Sequence, residues 1–197
     1  LPENPGSVLP PSQWSATTGY TMMFGQGYSV NALQMASVFA TIANDGVRMP
    51  PRVVDAITDP SGKTTTPSTA KPVRVVSAKT AKTVREMLET VTGPDGTAGI
   101  AVVPGYRTAG KTGTANRYDP SCGCYRGFTY SFIGMAPADK PGLVVAVTLQ
   151  DPKGGDGGGP TCGPVFRDVM SFALQSRRIP PTGTTPSRIP VYLSAKR

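Results

Sequence analysis

The chain has 197 residues, and its 23 glycines and 21 prolines are scattered among apolar runs, which excludes a collagen-like or wholly disordered chain. Its formal net charge is +8, a balance that favours anionic surroundings, but no dense basic run with interleaved aromatic residues points to nucleic acid. Histidine is absent, so a Ser-His-Asp triad, a Cys-His pair and most catalytic zinc sites cannot be built within the chain. Part of the positive excess lies near the end, at Arg177, Arg178, Arg188, Lys196 and Arg197.

The first elements in chain order are an irregular start and an apolar helix. Residues 1–20 are proline-rich and predict an irregular connection. The run Ala32–Ala43 is almost uninterruptedly apolar, which predicts a helix that is buried on all sides. Asn31 can cap its start, and Asn44-Asp45-Gly46 can end it.

A peripheral β region and a second helix follow. Residues 50–76 alternate short β-branched pieces with turns, which predicts a small β excursion at the periphery. Apolar residues recur at helical spacing over Ala78–Val91, after Ser77, and predict a helix whose apolar face is formed by Ala78, Ala81, Val84, Met87, Leu88 and Val91.

Two strands and a closing helix are predicted in the second half. Phe128–Ile133 alternates apolar and polar residues, and Leu143–Gln150 is β-branched; the turn between them is too short for a crossover helix, so we expect antiparallel neighbours. Gly154–Gly159 predicts a flexible, exposed loop. The closing helix should have Pro164 in its first turn and bury Val165, Phe166, Val169, Met170 and Ala173. Together these elements predict an α/β fold with a mainly antiparallel sheet flanked by helices.

The three cysteines leave two interpretations open. Cys122 and Cys124 flank a glycine in one polar loop, and Cys162 is expected in a second, glycine-rich loop. The three thiols are either unrelated or form a disulfide between the loops, Cys122–Cys162 or Cys124–Cys162, which requires an oxidising compartment.

The sequence contains no candidate membrane span and no signal peptide. Its most apolar stretch, Leu143–Leu149, is far too short to cross a bilayer. The loop-like opening at Leu1 predicts that the chain begins within a domain.

Two patterns share Lys111. Gly105–Thr112 satisfies the nucleotide-binding pattern G-x-x-x-x-G-K-[ST], in which a helix must begin at the lysine. No amphipathic helix can be drawn after Lys111, which argues against that pattern. In the other interpretation, Lys111-Thr112-Gly113-Thr114 is an extended strand. Its ammonium group and two hydroxyls suit the anionic terminus of a peptide docked along a strand edge, and Gly113 permits close backbone approach.

The segments around this strand resemble class B penicillin-binding proteins, particularly the division-specific type. The resemblance rests on Phe24–Gln34 before the apolar helix, on Tyr106–Gly110 before K-T-G-T, on Phe132–Pro137, and on Gly158-Gly159 ahead of Pro164-Val165-Phe166. It implies the transpeptidase fold shared with serine β-lactamases. The chain would be the C-terminal part of that domain over residues 1–177, with a Pro/Thr/Arg-rich tail over 178–197.

The resemblance also implies an activity and an environment. Such proteins cross-link peptidoglycan stem peptides during septal cell-wall synthesis and are acylated by β-lactams. It implies lipid-linked precursors, divisome proteins and a SEDS glycosyltransferase as partners, without a cofactor or metal ion. It places the protein on the extracytoplasmic face of the membrane, anchored by an N-terminal segment outside this chain.

The same resemblance assigns roles to the K-T-G-T residues. Lys111, Thr112 and Thr114 would bind the substrate carboxylate, and the Thr114 backbone N–H would form half of an oxyanion hole. The family's S-x-x-K and S-x-N motifs would lie upstream, together with the missing part of the domain, so the isolated chain should be inactive. Ser68–Lys71 fits S-x-x-K and Ser29–Asn31 fits S-x-N, but proline-bracketed surroundings and reversed order argue against both.

Two alternatives and one loop remain as predictions. The alternatives are a P-loop NTPase that uses Gly105–Thr112 and a non-catalytic cell-wall-binding module. The cysteine-bearing loop Asp119–Tyr125 follows the K-T-G strand. At the rim of the cleft, Tyr118, Tyr125 or Arg126 could touch ligand, although the favoured interpretation is that they are solvated loop residues.

Overall fold

The computed structural model describes residues 4–68, 70–187 and 189–190, which fall into two compact units, Leu1–Met35 and Ala36–Arg197. In the first unit, strand β1 (Ser7–Val8) pairs antiparallel with β2 (Tyr28–Ser29). Between them lie a 3-10 turn and the short helix α1 (Thr18–Met22), which the sequence analysis did not anticipate.

Helix α2 (Ala32–Ala43) has the predicted bounds and the predicted cap. Asn31 accepts a hydrogen bond from the Gln34 backbone through Oδ1 at 2.8 Å, and its own N–H donates to Gln34 Oε1 at 2.9 Å, a reciprocal capping arrangement. The prediction that the helix is buried on all sides is wrong, because Val38 is 55% exposed. Only the face with Phe39, Ile42 and Ala43 packs against the sheet.

Short strands form the periphery of the second unit, as predicted. Strand β3 (Val47–Arg48) pairs antiparallel with β6 (Val73–Arg74), and β4 (Ile57–Thr58) pairs with β5 (Thr64–Thr65). Asp59 closes the turn between β4 and β5 by accepting hydrogen bonds from Ser61 and Lys63.

Helix α3 (Ala78–Thr92) starts at the predicted residue, where Ser77 Oγ accepts a hydrogen bond from the Thr80 N–H at 3.0 Å. Its buried face differs from the prediction. Met87 is 54% exposed, whereas the buried positions are Ala81, Arg85, Glu89 and Thr92. The two buried charges are tolerated because each is paired, and Arg85 donates to the Ile42 carbonyl and to Asp45 at 2.9 Å.

The central sheet has the order β7-β8-β9 and is antiparallel throughout. It consists of β7 (Ala109–Asp119), β8 (Cys124–Ala136) and β9 (Leu143–Gln150). The predicted antiparallel pairing of the last two strands is confirmed, with Ala136 opposite Leu143. The first residues of β8 precede the part of the strand that pairs with β9, so the end of β7 and the start of β8 form a two-stranded arm.

Helices cover both faces of this sheet. On one face, α2 and α3 pack on Ala109 and Met135. On the other lies α4 (Gly158–Ser176), whose buried residues meet Phe132 and Val147 and include Phe166, Met170 and Leu174. Within the described part of the chain, no helix combines the length and apolar character needed to cross a membrane.

The start of α4 corrects two predictions. Pro164 lies inside the helix rather than in its first turn, and Gly158 and Gly159 are buried instead of belonging to an exposed loop. Val165 and Val169, predicted to be buried, are 43% and 46% exposed. The helix begins early because its first turn rests on the sheet backbone, where side chains would not fit.

Candidate functional site

The K-T-G-T residues lie on an edge strand of the central sheet. Lys111 to Thr114 are the third to sixth residues of β7, with Lys111 opposite Ile133 and Thr114 opposite Tyr130. Among the described residues, β7 pairs with β8 on one side only. The predicted extended conformation is confirmed, and the nucleotide-binding alternative loses its physical basis because Lys111 stands within a strand that continues to Asp119 rather than at the head of a helix.

The lysine and the two threonines approach this edge from opposite faces of the strand, because successive side chains alternate. Thr112 and Thr114 lie on the face covered by α4, where Thr112 Oγ1 is 3.4 Å from Thr97 Oγ1. Lys111 is exposed, and its Nζ donates to the Thr112 carbonyl at 3.0 Å. The Lys111 Nζ also lies 3.4 Å from Thr112 Oγ1, so the ammonium group reaches over the edge, and a ligand along the edge could meet the cation and a hydroxyl together.

The Thr114 hydroxyl is oriented by the first turn of α4. Its Oγ1 accepts a hydrogen bond from the Gly158 N–H at 3.2 Å. The first N–H groups of a helix have no acceptor within the helix, so the contact satisfies one of them. Since a hydroxyl that accepts in this way keeps its own proton, Thr114 can still donate to an anion.

Glycines permit the contact between α4 and the strand. A Cβ at Gly158 would collide with the carbonyl oxygens of Gly113 and Ser131, and one at Gly159 would collide with the carbonyl oxygen of Thr97. These are backbone atoms that cannot rotate away, so only glycine allows the helix to approach this closely. The run Gly154–Gly159 therefore has a structural role at its far end, next to Thr114.

A buried ion pair holds the residues that lead into β7. Arg107 binds Glu89 of α3 through two hydrogen bonds, Nε–Oε1 at 2.7 Å and NH2–Oε2 at 2.6 Å. The side chains are 13% and 5% exposed, and the hydrogen bonds to Glu89 raise the pKa of Arg107. Thr92 Oγ1 donates to the Thr108 carbonyl at 2.6 Å. Both contacts fix the chain just ahead of Lys111.

Of the two interpretations left open for the cysteines, a disulfide between the two loops is wrong, and the thiols of Cys122 and Cys124 are not unrelated either. The disulfide joins Cys122 and Cys124, and neither is bonded to Cys162. Cys162 is fully buried within α4 on the sheet, and this burial raises the pKa of its thiol. Cys122 and Cys124 instead sit at the tip of the β7–β8 arm, where strand pairing brings Asp119 opposite Cys124.

The tip of this arm carries the predicted rim residues. Tyr118 and Tyr125 are paired across the strands, with ring centroids 5.9 Å apart in an edge-to-face arrangement, and they are 56% and 73% exposed. Asp119 accepts from the Ser121 hydroxyl at 2.6 Å and from Arg126 at 2.7 Å. The Ser121 hydrogen bonds in particular hold the pKa of Asp119 below its ordinary value. A ligand role for these residues stays a prediction.

The two motif look-alikes have a local structure that differs from what their motifs require. Ser68 and Lys71 lie in a segment without helical structure between β5 and β6, and Thr69 lies outside the described residues. Ser29 belongs to β2, and the side chain of Asn31 caps α2. The charged C-terminal positions Arg188, Lys196 and Arg197 also lie outside the described residues.

Comparisons with known proteins agree with this geometry. Residues 1–171 match the family described as the penicillin-binding protein transpeptidase domain. The chain is 42% identical over 188 residues to penicillin-binding protein PbpB of Mycobacterium tuberculosis, covering 90% of the chain and 28% of that protein. It is 35% identical over 171 residues to the probable peptidoglycan D,D-transpeptidase PenA of Neisseria flavescens, covering 86% of the chain and 40% of that protein.

A solved structure shares the fold. The crystal structure of penicillin-binding protein 3 from Mycobacterium tuberculosis, complexed with aztreonam, superposes with a TM-score of 0.82 at 40% identity and covers 92% of the chain and 42% of that structure. The chain therefore spans less than half the length of each of these three relatives.

Proposed function

Because the chain belongs to the penicillin-binding protein transpeptidase family, we propose that it supplies the substrate-binding edge of a peptidoglycan D,D-transpeptidase. One observation carries the proposal: Lys111 is exposed and Thr114 keeps a free hydroxyl proton on the same unpaired edge of β7. A stem peptide docked along this edge would place its carboxylate against the Lys111 ammonium and the hydroxyls of Thr112 and Thr114.

In the proposed reaction, this strand positions the acyl donor. A serine hydroxyl attacks the donor carbonyl, and its proton passes through a lysine to the leaving amine, which leaves an acyl-enzyme ester. The amine of a second stem peptide then attacks this ester, the new amide bond forms as the bond to serine breaks, and the proton of the amine returns through the lysine to the serine oxygen. The Thr114 backbone N–H would stabilise the oxyanion formed at each attack, a contribution of about 10²–10³ in rate. The serine and its lysine would come from an S-x-x-K motif, and residues that assist proton transfer would come from an S-x-N motif, both outside residues 1–197.

We extend the proposal to the inhibitors that acylate the protein and to its location in the cell. The M. tuberculosis structure is a complex with aztreonam, a β-lactam, which supports acylation of this protein by the same class of compound. We assign the protein to septal cell-wall synthesis at the extracytoplasmic face of the membrane, held there by an upstream anchor. Lipid-linked precursors, divisome proteins and a SEDS glycosyltransferase would be its partners.

Labelling with a fluorescent penicillin tests the proposal. In the full-length protein, Lys111→Ala should slow labelling about 10–150-fold, since a hydrogen bond to a charged group contributes about 1.5–3 kcal/mol. Lys140→Ala, an exposed lysine in the β8–β9 turn, is the matched control and should label at the normal rate.

Two outcomes would contradict the proposal. Absence of any covalent label on the unaltered full-length protein would favour a non-catalytic cell-wall-binding module. A rise in melting temperature that requires magnesium and a nucleotide, and that Lys111→Ala abolishes, would instead support an NTPase.

A further inference from the structure

The segment after α4 returns across the molecule to the base of β7. It turns at Arg178, and the Ile179 carbonyl accepts a hydrogen bond from the Tyr106 hydroxyl at 2.6 Å. The Ile179 side chain packs beside Gly142, in the turn between β8 and β9. Residues 179–187 are hereafter called the strap.

Hydroxyl groups of the strap bind the charged residues at the base of the strand. Thr184 Oγ1 donates to Asp139 at 2.6 Å and accepts from Arg107 at 3.0 Å. Thr182 Oγ1 also donates to Asp139, at 3.0 Å. Ser187 accepts from Arg107 through its hydroxyl at 3.2 Å and donates its backbone N–H to Glu89 at 3.2 Å. The ion pair that leads into β7 is therefore also the main anchor of the strap.

The strap is held by these polar contacts and by the side chain of Ile179, which packs against the core formed by α4 and the sheet. After Ile179, the strap meets the base of β7 through the hydrogen bonds to Arg107, Asp139 and Glu89. An open pocket of about 610 Å³ is lined by Val102 and Tyr106 together with Pro186 and Ile189, so water can reach this part of the strap.

We propose that residues 179–187 form a reversible strap whose docking rigidifies the start of the β7 substrate strand. Arg107 lies four residues before Lys111, and its guanidinium is shared between Glu89 and the strap hydroxyls. When the strap leaves, Arg107 and Glu89 lose these neighbours and gain water, which loosens the entry into β7. The inference goes beyond the proposed function, and its test does not require catalysis.

Hydrogen exchange measures this coupling. In the full-length protein, a form that ends at Ile179 is compared with one that ends at Pro190, which retains every described strap contact. Both forms keep Ile179 on the core. We expect amide exchange over residues 108–112 to be about 5–150-fold faster in the shorter form, the span of typical couplings between two sites. Exchange in β9 should not change, because the sheet core stays intact. A synthetic peptide of residues 180–187, added to the shorter form, should restore protection, whereas the same peptide with Thr184→Val should not.

A full-length variant guards against misfolding of the truncated chain. Asp139→Asn removes the negative charge and replaces one of the two oxygens that accept from strap hydroxyls by an NH₂ donor, without shortening the chain, and should accelerate exchange over 108–112 in the same way. Equal exchange over 108–112 in the full chain, the truncation and Asp139→Asn would refute the proposal. Faster exchange over the whole sheet, β9 included, would also refute it, because the strap would then be part of the core. A failed penicillin-labelling experiment would leave these measurements unaffected.

Discussion

Replacing Gly158 by alanine tests the contact that positions Thr114. The added methyl group would meet the carbonyl oxygens of Gly113 and Ser131 and the backbone nitrogen of Gly113. None of these atoms can rotate out of the way. The first turn of α4 would have to move away from the sheet, and the hydrogen bond from the Gly158 N–H to Thr114 Oγ1 would lengthen.

The expected loss of stability has two parts. Adding a methyl group to a well-packed site typically costs about 1–3 kcal/mol in strain and backbone shifts. Loss of the hydrogen bond adds about 0.5–1.5 kcal/mol. We therefore expect Gly158→Ala to lower the free energy of unfolding by roughly 2–4 kcal/mol. It should also slow penicillin labelling, because the Thr114 hydroxyl is no longer held.

Urea unfolding and the labelling rate together provide the assay, with Gly99→Ala as the control. Gly99 is exposed at the start of a 3-10 turn, and a Cβ there would meet only ordinary van der Waals contact at 3.7 Å. This control should be neutral or gain about 0.4–1 kcal/mol from reduced freedom of the unfolded chain. If Gly158→Ala unfolds and labels like Gly99→Ala, then close packing of α4 on β7 does not position Thr114.

Three further changes probe other parts of the molecule. Cys122→Ser opens a disulfide that closes a three-residue loop and should cost about 1.6 kcal/mol in urea unfolding, whereas a bond to Cys162 would have contributed about 4 kcal/mol. Glu89→Gln removes the anion that Arg107 hydrogen-bonds and leaves only the more distant Asp139 carboxylate, 3.8 Å away, so it should lower the free energy of unfolding by about 3 kcal/mol. Burial raises the pKa of Asp139, but the hydrogen bonds from the strap outweigh burial and hold this pKa below its ordinary value of 3.8. The protection from exchange that the strap provides should therefore persist above pH 3.8 and decline as the pH falls further. Asp139→Asn should remove this pH dependence.

Short-range sequence signals, such as caps and turns, correctly predicted several of the helices and strands. The caps at Asn31 and Ser77 set the starts of α2 and α3, and the short turn before Leu143 required antiparallel pairing. The extended K-T-G-T segment followed from the absence of a helix signal after Lys111 and from the family resemblance. Each of these inferences depends on residues close together in the chain.

The missed features depend on contacts between distant residues. The start of α4, from Gly158 to Pro164, is rich in poor helix formers, so the sequence predicted a loop there. Its close approach to Gly113 and Ser131 depends on the assembled sheet and cannot be predicted from local sequence. The disulfide prediction failed for a related reason, because Cys162 was placed in that supposed loop. One signal was available for the buried charges of α3: Arg85 and Glu89 lie one helical turn apart on the same face as Ala81.

Contacts with other elements hold β7 in place along its whole length, and they limit where a ligand could bind to the strand. The Arg107–Glu89 pair fixes its entry, the first turn of α4 fixes Thr114, and the disulfide closes the arm beyond Asp119. Only the outer edge and the Lys111 side chain are left for an incoming molecule. Because a preorganised edge need not be ordered on binding, more of the interaction with a carboxylate or an oxyanion is available to lower the reaction barrier. Loosening any one support should then weaken binding without removing a single group that touches the ligand.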